Sequence, residues 1–380
     1  MRMLLGAIAV AASFVHADTH TGQVQTLYTS PAHRTIAAFA QDDGLVAWFT
    51  PGSKTCNAVW LWQLGGAQQH LPAQGSGYHN VTCTWQVPPR SPVGLAVARN
   101  GGYPSLLWTL HESAAQALRF DYVLGATAAV PEERRFQEVA HARRGAGLWL
   151  GGVAGSGTTL VYAVAQVAYK DQVACLSTPN APGACALKIV EGGVGGVYRI
   201  VGRTAPQLIK GTSPAVAVAA FGDEVAFVRA TGAAVADGRP LASASVPVEV
   251  RNTLTGALMT SVTPRTAPTA IALSGSALAL LGRSGARLVL DWYEVKTGKL
   301  LGSLRLPQGA APTISIGDNV IVFHVGRSIR SVNIDTKRVA KVATAAAVPV
   351  GLSVAGDRIA WAENIAGRGR IRAVTLAPAP

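Results

Sequence analysis

The sequence predicts an all-β fold: a seven-bladed β-propeller of four-stranded antiparallel blades, closed by an N-terminal strand that completes the last blade. Three observations predict it. A hairpin phrase of two apolar runs around a Gly or Asp turn, ending near an aromatic, recurs four times. It appears as Ala37–Trp48, Val216–Phe227, Ile314–Phe323 and Gly351–Trp361. Self-similarity of this kind marks units that bury their faces only against their neighbours. From Pro214 onward, strand-length and turn-length segments alternate without interruption. The composition, 49% hydrophobic with 14% charged residues, suits strands covered on both sheet faces.

Taken from the start, residues 1–17 read as a signal peptide. Arg2 supplies the positive end, Leu4 to Val15 the apolar run, and Val15-His16-Ala17 the small-residue cleavage site. The run falls short of the roughly 20 residues a membrane span needs, and no later stretch reads as a transmembrane segment. No cysteine directly follows the cleavage site, so no lipid anchor is expected. Residues 18–380 then form a single propeller domain, secreted or periplasmic, and expected as a monomer. Ala-rich, Arg-over-Lys usage points to a bacterial source.

Val24–Thr29 is a lone strand, followed by a first blade at 34–75 with Ala58–Leu64 as its third strand. A second blade spans about 92–140, turning at Arg99-Asn100-Gly101-Gly102, and a third spans 146–212, turning at Gly155-Ser156-Gly157. Further blades follow near 214–266, 267–309 and 310–347. The unit at 348–378 has room for three strands, and the N-terminal strand supplies its fourth. Closing the ring by pairing the chain ends removes exposed sheet edges. Residues 76–91 fit no strand of this template, so six or eight blades stay open.

Cys56, Cys83, Cys175 and Cys185 form an even set in an exported chain, which favours two disulfides. Cys175 and Cys185 flank a Pro/Gly-containing loop and are the natural pair, leaving Cys56 with Cys83. No CxxC spacing supports zinc, and a calcium loop would need more clustered carboxylates than Asp42-Asp43. Neither a metal nor a cofactor is expected. The turn Gly and Asp residues are read as turn formers. Trp48, Phe227, Phe323 and Trp361, at equivalent strand positions, are read as packing between blades rather than a ligand cage.

The hairpin phrase ending Gly-Asp-x-apolar-apolar resembles exported bacterial propellers of the broad TolB-like and WD40-like class. So do the strand phrases Leu290–Leu301 and, more weakly, Val248–Leu258. The Gly-His and Trp-Asp signatures of true WD40 repeats and the motifs of quinone-dependent propeller enzymes are not found. The resemblance implies a binding scaffold and carries over no functional residues.

Catalytic chemistry is sparse. The mature-chain histidines are scattered, and neither HExxH nor GxSxG occurs. His79 near Cys83 and His111 beside Glu112 are the only juxtapositions, both read as ordinary loop residues. Charge placement says more, because Lys and Arg outnumber Asp and Glu by 13. In propeller topology the second-to-third-strand turns and the blade connections share one face. Arg229, Arg283, Arg327 and Arg368 fall in the former; Arg143, Arg144 and Arg265, with Arg90 and Lys210, fall in the latter. The loops 171–189 and 230–245 belong to the same face. Guanidinium groups on such a face suit an anionic cell-envelope polymer, a lipid headgroup or an acidic protein partner. The bland alternative is that these arginines only keep the turns solvated. Nucleic acid is not expected, since the loops lack basic runs interleaved with aromatics. The primary expectation is therefore a non-catalytic binding module. A lyase or hydrolase with a composite site at the axial opening is the alternative, and a platform meeting a protein across its rim is a third.

Overall fold

The structure, a computed structural model, describes residues 22–50, 58–71, 94–113, 119–127, 135–144, 147–169, 171–177, 187–190, 192–201, 206–229, 234–236, 239–240 and 246–376. Among these residues the strands form seven sheets, six of them four-stranded and one seven-stranded. The strand pairs within the sheets are all antiparallel. The first strand of each sheet lines one central cavity, so the sheets are arrayed radially. These inner strands are Ala38–Asp42, Leu95–Asn100, Gly147–Ser156, Ala215–Phe221, Pro268–Leu273, Ser315–Ile316 and Gly351–Ala355.

In the blade built on Pro268–Leu273, the chain returns as Ala277–Ser284, then Arg287–Glu294, then Leu300–Arg305. One hydrogen bond recurs from blade to blade. The backbone N–H just after a third strand donates to a carbonyl in the first hairpin turn: Leu64 to Gly44 (2.9 Å), Thr253 to Asp223 (2.7 Å), Val295 to Ser276 (3.0 Å), Ile334 to Asn319 (2.9 Å) and Leu376 to Asp357 (2.9 Å). It ties the first turn to the third-to-fourth-strand turn and defines one face. The second-to-third-strand turns and the blade connections occupy the other.

The blade at 351–375 takes the N-terminal strand as its outer member. Gln25–Thr29 pairs antiparallel with Arg368–Thr375, Gln25 opposite Ala373. The four aromatics of the repeated phrase are fully buried, and each packs against the preceding blade. Trp48 meets Ala360 and Ile371, Phe227 meets Val161 and Ala163, Phe323 meets Leu290 and Trp292, and Trp361 meets Val322 and Ile329. Interblade burial of large rings, about 150–250 Å² each, dominates the cohesion of such an array.

The expectation of seven like, four-stranded blades needs correction. Six sheets follow the four-strand pattern, and the sheet beginning at Gly147 does not. Its second strand, Thr159–Tyr169, has 11 residues, too long for one partner. Gly195–Ile200 pairs with its first half, and Leu187–Ile189 with its end. A hairpin of Ala234–Ala236 and Arg239–Pro240, sent back from the following blade's long loop, adds two more strands beside Leu187–Ile189. The second blade also runs further than expected. Its outer strand is Arg135–Arg144, because Arg143 and Arg144 pair with Phe120 and Arg119. These two arginines therefore end a strand instead of lying in a blade connection. Cys175 lies in a short helix, Gln172–Ser177, within the expected loop. The pairings of Cys56 with Cys83 and of Cys175 with Cys185, the signal segment, and His79 lie outside the described residues or side chains. No helix among the described residues is long and apolar enough to cross a membrane.

Candidate functional site

The two faces differ in charge. The face shared by the first hairpin turns and the third-to-fourth-strand turns is mixed: Asp42, Asp43, Asp223, Glu224, Asp318, Asp335 and Asp357 stand among Arg99, Lys296, Lys299, Lys337, Arg338 and Arg358. On the other face, Arg327 sits at the tip of its second-to-third-strand turn and Arg368 opens the strand after its turn, whereas Arg283, expected in a turn, lies in the strand Ala277–Ser284 opposite Leu288, two residues before Gly285; all three are exposed. Among the described residues, no carboxylate lies within ion-pair distance of these three. The Gly326–Arg327 and Gly367–Arg368 turns have a local cause. Gly326 and Gly367 adopt φ of 53° and 74°, a left-handed conformation that disfavours a side chain, and the arginine follows. Gly282 differs: a Cβ there would stand 2.0 Å from Thr266 Oγ1, so the residue is small because the chain passes close by.

Two of the predicted arginines turn inward to carboxylates. Arg229 Nη1 stands 3.2 Å from Glu249 Oε1, and its Nε donates to Ser213 Oγ at 2.8 Å. Glu249 is also held by Arg251 at 2.8 Å and is only 7% exposed. Arg265 Nη1 approaches Asp291 Oδ1 at 4.0 Å. The exposed cations of the face include Arg283, Arg327 and Arg368, together with Arg34, Arg287 and the 60%-exposed Arg265. Arg143 and Arg144 are placed by their backbone alone, at the end of the Arg135–Arg144 strand.

His324 is buried (5% exposed) under the Gly326–Arg327 turn, with its Nδ1 3.0 Å from the Gly326 carbonyl. Burial lowers its pKa below the ordinary value of 6.5, although the Gly326 contact opposes this. The unfolded chain therefore takes up a proton that the folded chain resists. Stability from this group is present above about pH 6.5 and falls as pH drops toward the lower folded value. His324→Gln should flatten the loss of thermal stability between about pH 7 and pH 5. An unchanged melting profile across that window would show that the imidazole does not control it.

On the mixed face, a cavity of about 300 Å³ runs along the second halves of the inner strands to the hairpin turns. Its polar lining includes Gln41, Asp42, Ser156, Ser315, Asp318 and Ser353. Gln41 Nε2 donates to Ser353 O (2.9 Å) and Arg358 O (3.0 Å), tying two inner strands together. The Gly157 N–H donates to Asp42 Oδ2 at 2.8 Å. Burial raises the Asp42 carboxyl above its usual range, and this hydrogen bond partly offsets the shift. The described lining contains no histidine, and no group of three potential metal ligands occurs among the described residues. The sequence reading placed function first on the opposite face and gave the axial opening only as an alternative, without naming its lining residues. Apolar strand positions that converge only when the ring closes leave no local signal.

No protein-family model matches the chain, and no curated protein matches it. Solved structures do. An acylaminoacyl peptidase from Pyrococcus horikoshii is 10% identical with a TM-score of 0.50, over 87% of this chain and 49% of that one. The present chain thus spans about half of that protein. TolB from Acinetobacter baumannii is 15% identical with a TM-score of 0.37, over 72% of this chain and 55% of that one. The Dos1 propeller is 10% identical with a TM-score of 0.45, over 90% and 79%. The chain is an all-β propeller by its own sheets, and at 10% identity the likeness to the peptidase shows fold alone.

Proposed function

We propose that this chain is an exported binding propeller, without catalytic activity of its own, that engages an anionic envelope component or an acidic protein surface through its arginine face. The observation that carries this reading is the excess of exposed, unpaired arginine on one face. Exposed Arg283, Arg327 and Arg368 stand at or beside the second-to-third-strand turns of one face with no carboxylate in ion-pair distance among the described residues, while on the other face carboxylates and basic residues are mixed. A cationic face steers an anionic partner toward one orientation, and its pull weakens as salt screens it. In this reading residues 1–17 are removed on export, residues 18–380 act as one monomeric propeller with the 147–240 sheet as a seventh blade, and Cys56–Cys83 and Cys175–Cys185 staple it outside the cytoplasm. The lyase or hydrolase alternative has less support: the described lining of the axial cavity brings one carboxylate–hydroxyl contact, Asp42 with Ser156, with no histidine beside it.

The test replaces Arg283, Arg327 and Arg368 together with Ser. The expected result is weaker retention on isolated cell envelopes and on a polyanion column, with release at lower salt and an unchanged melting temperature. Equal retention of the variant and the parent would remove the arginine mechanism.

A further inference from the structure

A second cavity, about 280 Å³, opens beside the outer half of the 268–305 blade. Asp291 and Val289 of the third strand stand opposite Ser303 and Arg305 of the fourth, and the linker residues Arg265 and Thr266 close the other side. Asp291 is 2% exposed, and its Oδ1 is buried with no hydrogen-bond partner among the described residues. Arg265, its charged neighbour there, remains 4.0 Å away, and that side chain is 60% exposed.

The preceding blade shows what this position ordinarily requires. Val248-Glu249-Val250 aligns with Leu290-Asp291-Trp292, since both strands carry an irregularity in register immediately afterwards, at Val250/Arg251 and Trp292/Tyr293. Glu249 lies opposite Phe227 as Asp291 lies opposite Leu280. Glu249 is neutralised by Arg229 and Arg251 at 3.2 Å and 2.8 Å. At the two aligned positions, the later blade has Gly282 and Tyr293 in place of those arginines. The same buried carboxylate thus keeps only one long ion pair, to Arg265 at 4.0 Å, beside a cavity. A buried charge is costly unless it is paired and hydrogen-bonded, and Arg265 supplies no hydrogen bond at 4.0 Å, so a hydrogen-bonding partner is to be sought outside the chain.

We propose that this cleft is a binding site for a free α-amino acid or an equally small zwitterion. The ammonium group meets Asp291 Oδ1 at the floor, and the carboxylate meets Arg265 and Arg305 at the rim. A simple cation would satisfy Asp291 but face two guanidinium groups. A simple anion would satisfy the arginines and face the carboxylate. A molecule with both charges a few bonds apart meets all three, and Ser284, Ser303 and Thr266 offer hydroxyls around it. The volume lies near the lower end of small-molecule pockets, roughly 300–1,000 Å³, which suits a single amino acid. The site shares Arg265 with the arginine face but does not depend on that reading, because the Arg283, Arg327 and Arg368 variant leaves it intact.

The test is titration calorimetry and ligand-observed NMR on the purified chain. The probes are free glycine, alanine, serine and glutamine, each compared with its N-acetyl and its carboxamide form. At least one free amino acid should bind, and blocking either end should weaken it about tenfold or more, since charged hydrogen bonds contribute about 1.5–3 kcal/mol each. Asp291→Asn and the exposed Arg305→Ser should each cause a comparable loss. Asp291→Asn should at the same time keep or raise the melting temperature, as expected when a poorly paired buried charge held for binding is removed. The proposal is overturned if no free amino acid binds, if blocked forms bind equally well, or if Arg305→Ser binds as the parent does.

Discussion

Replacing Glu363 with Ala should cost the fold about 3–5 kcal/mol, the range for stranding a buried ion pair. Glu363 is fully buried in the second strand of the 351–375 blade. Its Oε2 accepts the backbone N–H groups of Ala346 (2.8 Å) and Ala347 (3.3 Å), and Trp361 Nε1 donates to it at 3.4 Å. Arg372 Nη1 lies 3.6 Å from Oε1, with its guanidinium 5.9 Å from the Trp361 ring centroid. One carboxylate therefore anchors the connection arriving from the preceding blade and balances a cation inside its own. Truncation leaves those N–H groups without an acceptor and Arg372 without its counter-charge. Glu363→Gln keeps an oxygen in place and loses only the charge, so its cost should be clearly smaller. Urea unfolding of both variants checks the ordering. An Ala variant within about 1 kcal/mol of the parent would mean that water replaces these contacts at little cost.

The regular part of the fold is legible in the sequence because its causes are local. Gly44, Gly222 and Gly356 take the positive φ that a tight turn asks of them. The aromatics eleven or so positions into each phrase, Trp48, Phe227, Phe323 and Trp361, are fully buried against the blade before them. The sheet beginning at Gly147 was not legible, since nothing in Thr159–Tyr169 itself announces two partners along one strand. That information sits in the loop that returns from the following blade. The cleft at Asp291 was half legible. An acid between Leu290 and Trp292 is an anomaly within an apolar strand, but its meaning depends on Gly282 and Tyr293 occupying the places of Arg229 and Arg251. Only spatial alignment of two blades makes that substitution visible.

The difference in charge follows from the same repeat. The first hairpin turns favour Asp, whose side chain bonds turn backbone, as Asn252 and Asn333 do in the third-to-fourth-strand turns, accepting at 2.8–3.1 Å from residues two and three positions on. The second-to-third-strand turns have no such requirement and are free to carry Arg. Turn chemistry thus accounts for the Asp and Asn residues of these turns without a ligand, whereas the arginines of the other face have no equivalent structural cause. For that reason the binding assay is directed at the latter.

Gly302→Ala should destabilise the chain by about 1–3 kcal/mol from overpacking alone. Gly302 lies opposite Trp292 in the outer strand pair, and a Cβ there would stand 2.1 Å from Trp292 Cζ2. The ring has little room to retreat. It is 1% exposed, packs with Phe323 of the next blade, and its Nε1 donates to the Ile334 carbonyl at 3.2 Å. Displacing it weakens that interblade hydrogen bond, adding about 1 kcal/mol. Because the whole penalty passes through one ring, the two positions must be strongly coupled. Trp292→Leu should by itself be costly, leaving a cavity at the blade interface, yet in that background Gly302→Ala should become nearly neutral. Equal penalties for Gly302→Ala with and without the indole would show that backbone strain in the outer strand, and not the Trp292 contact, fixes glycine at this position.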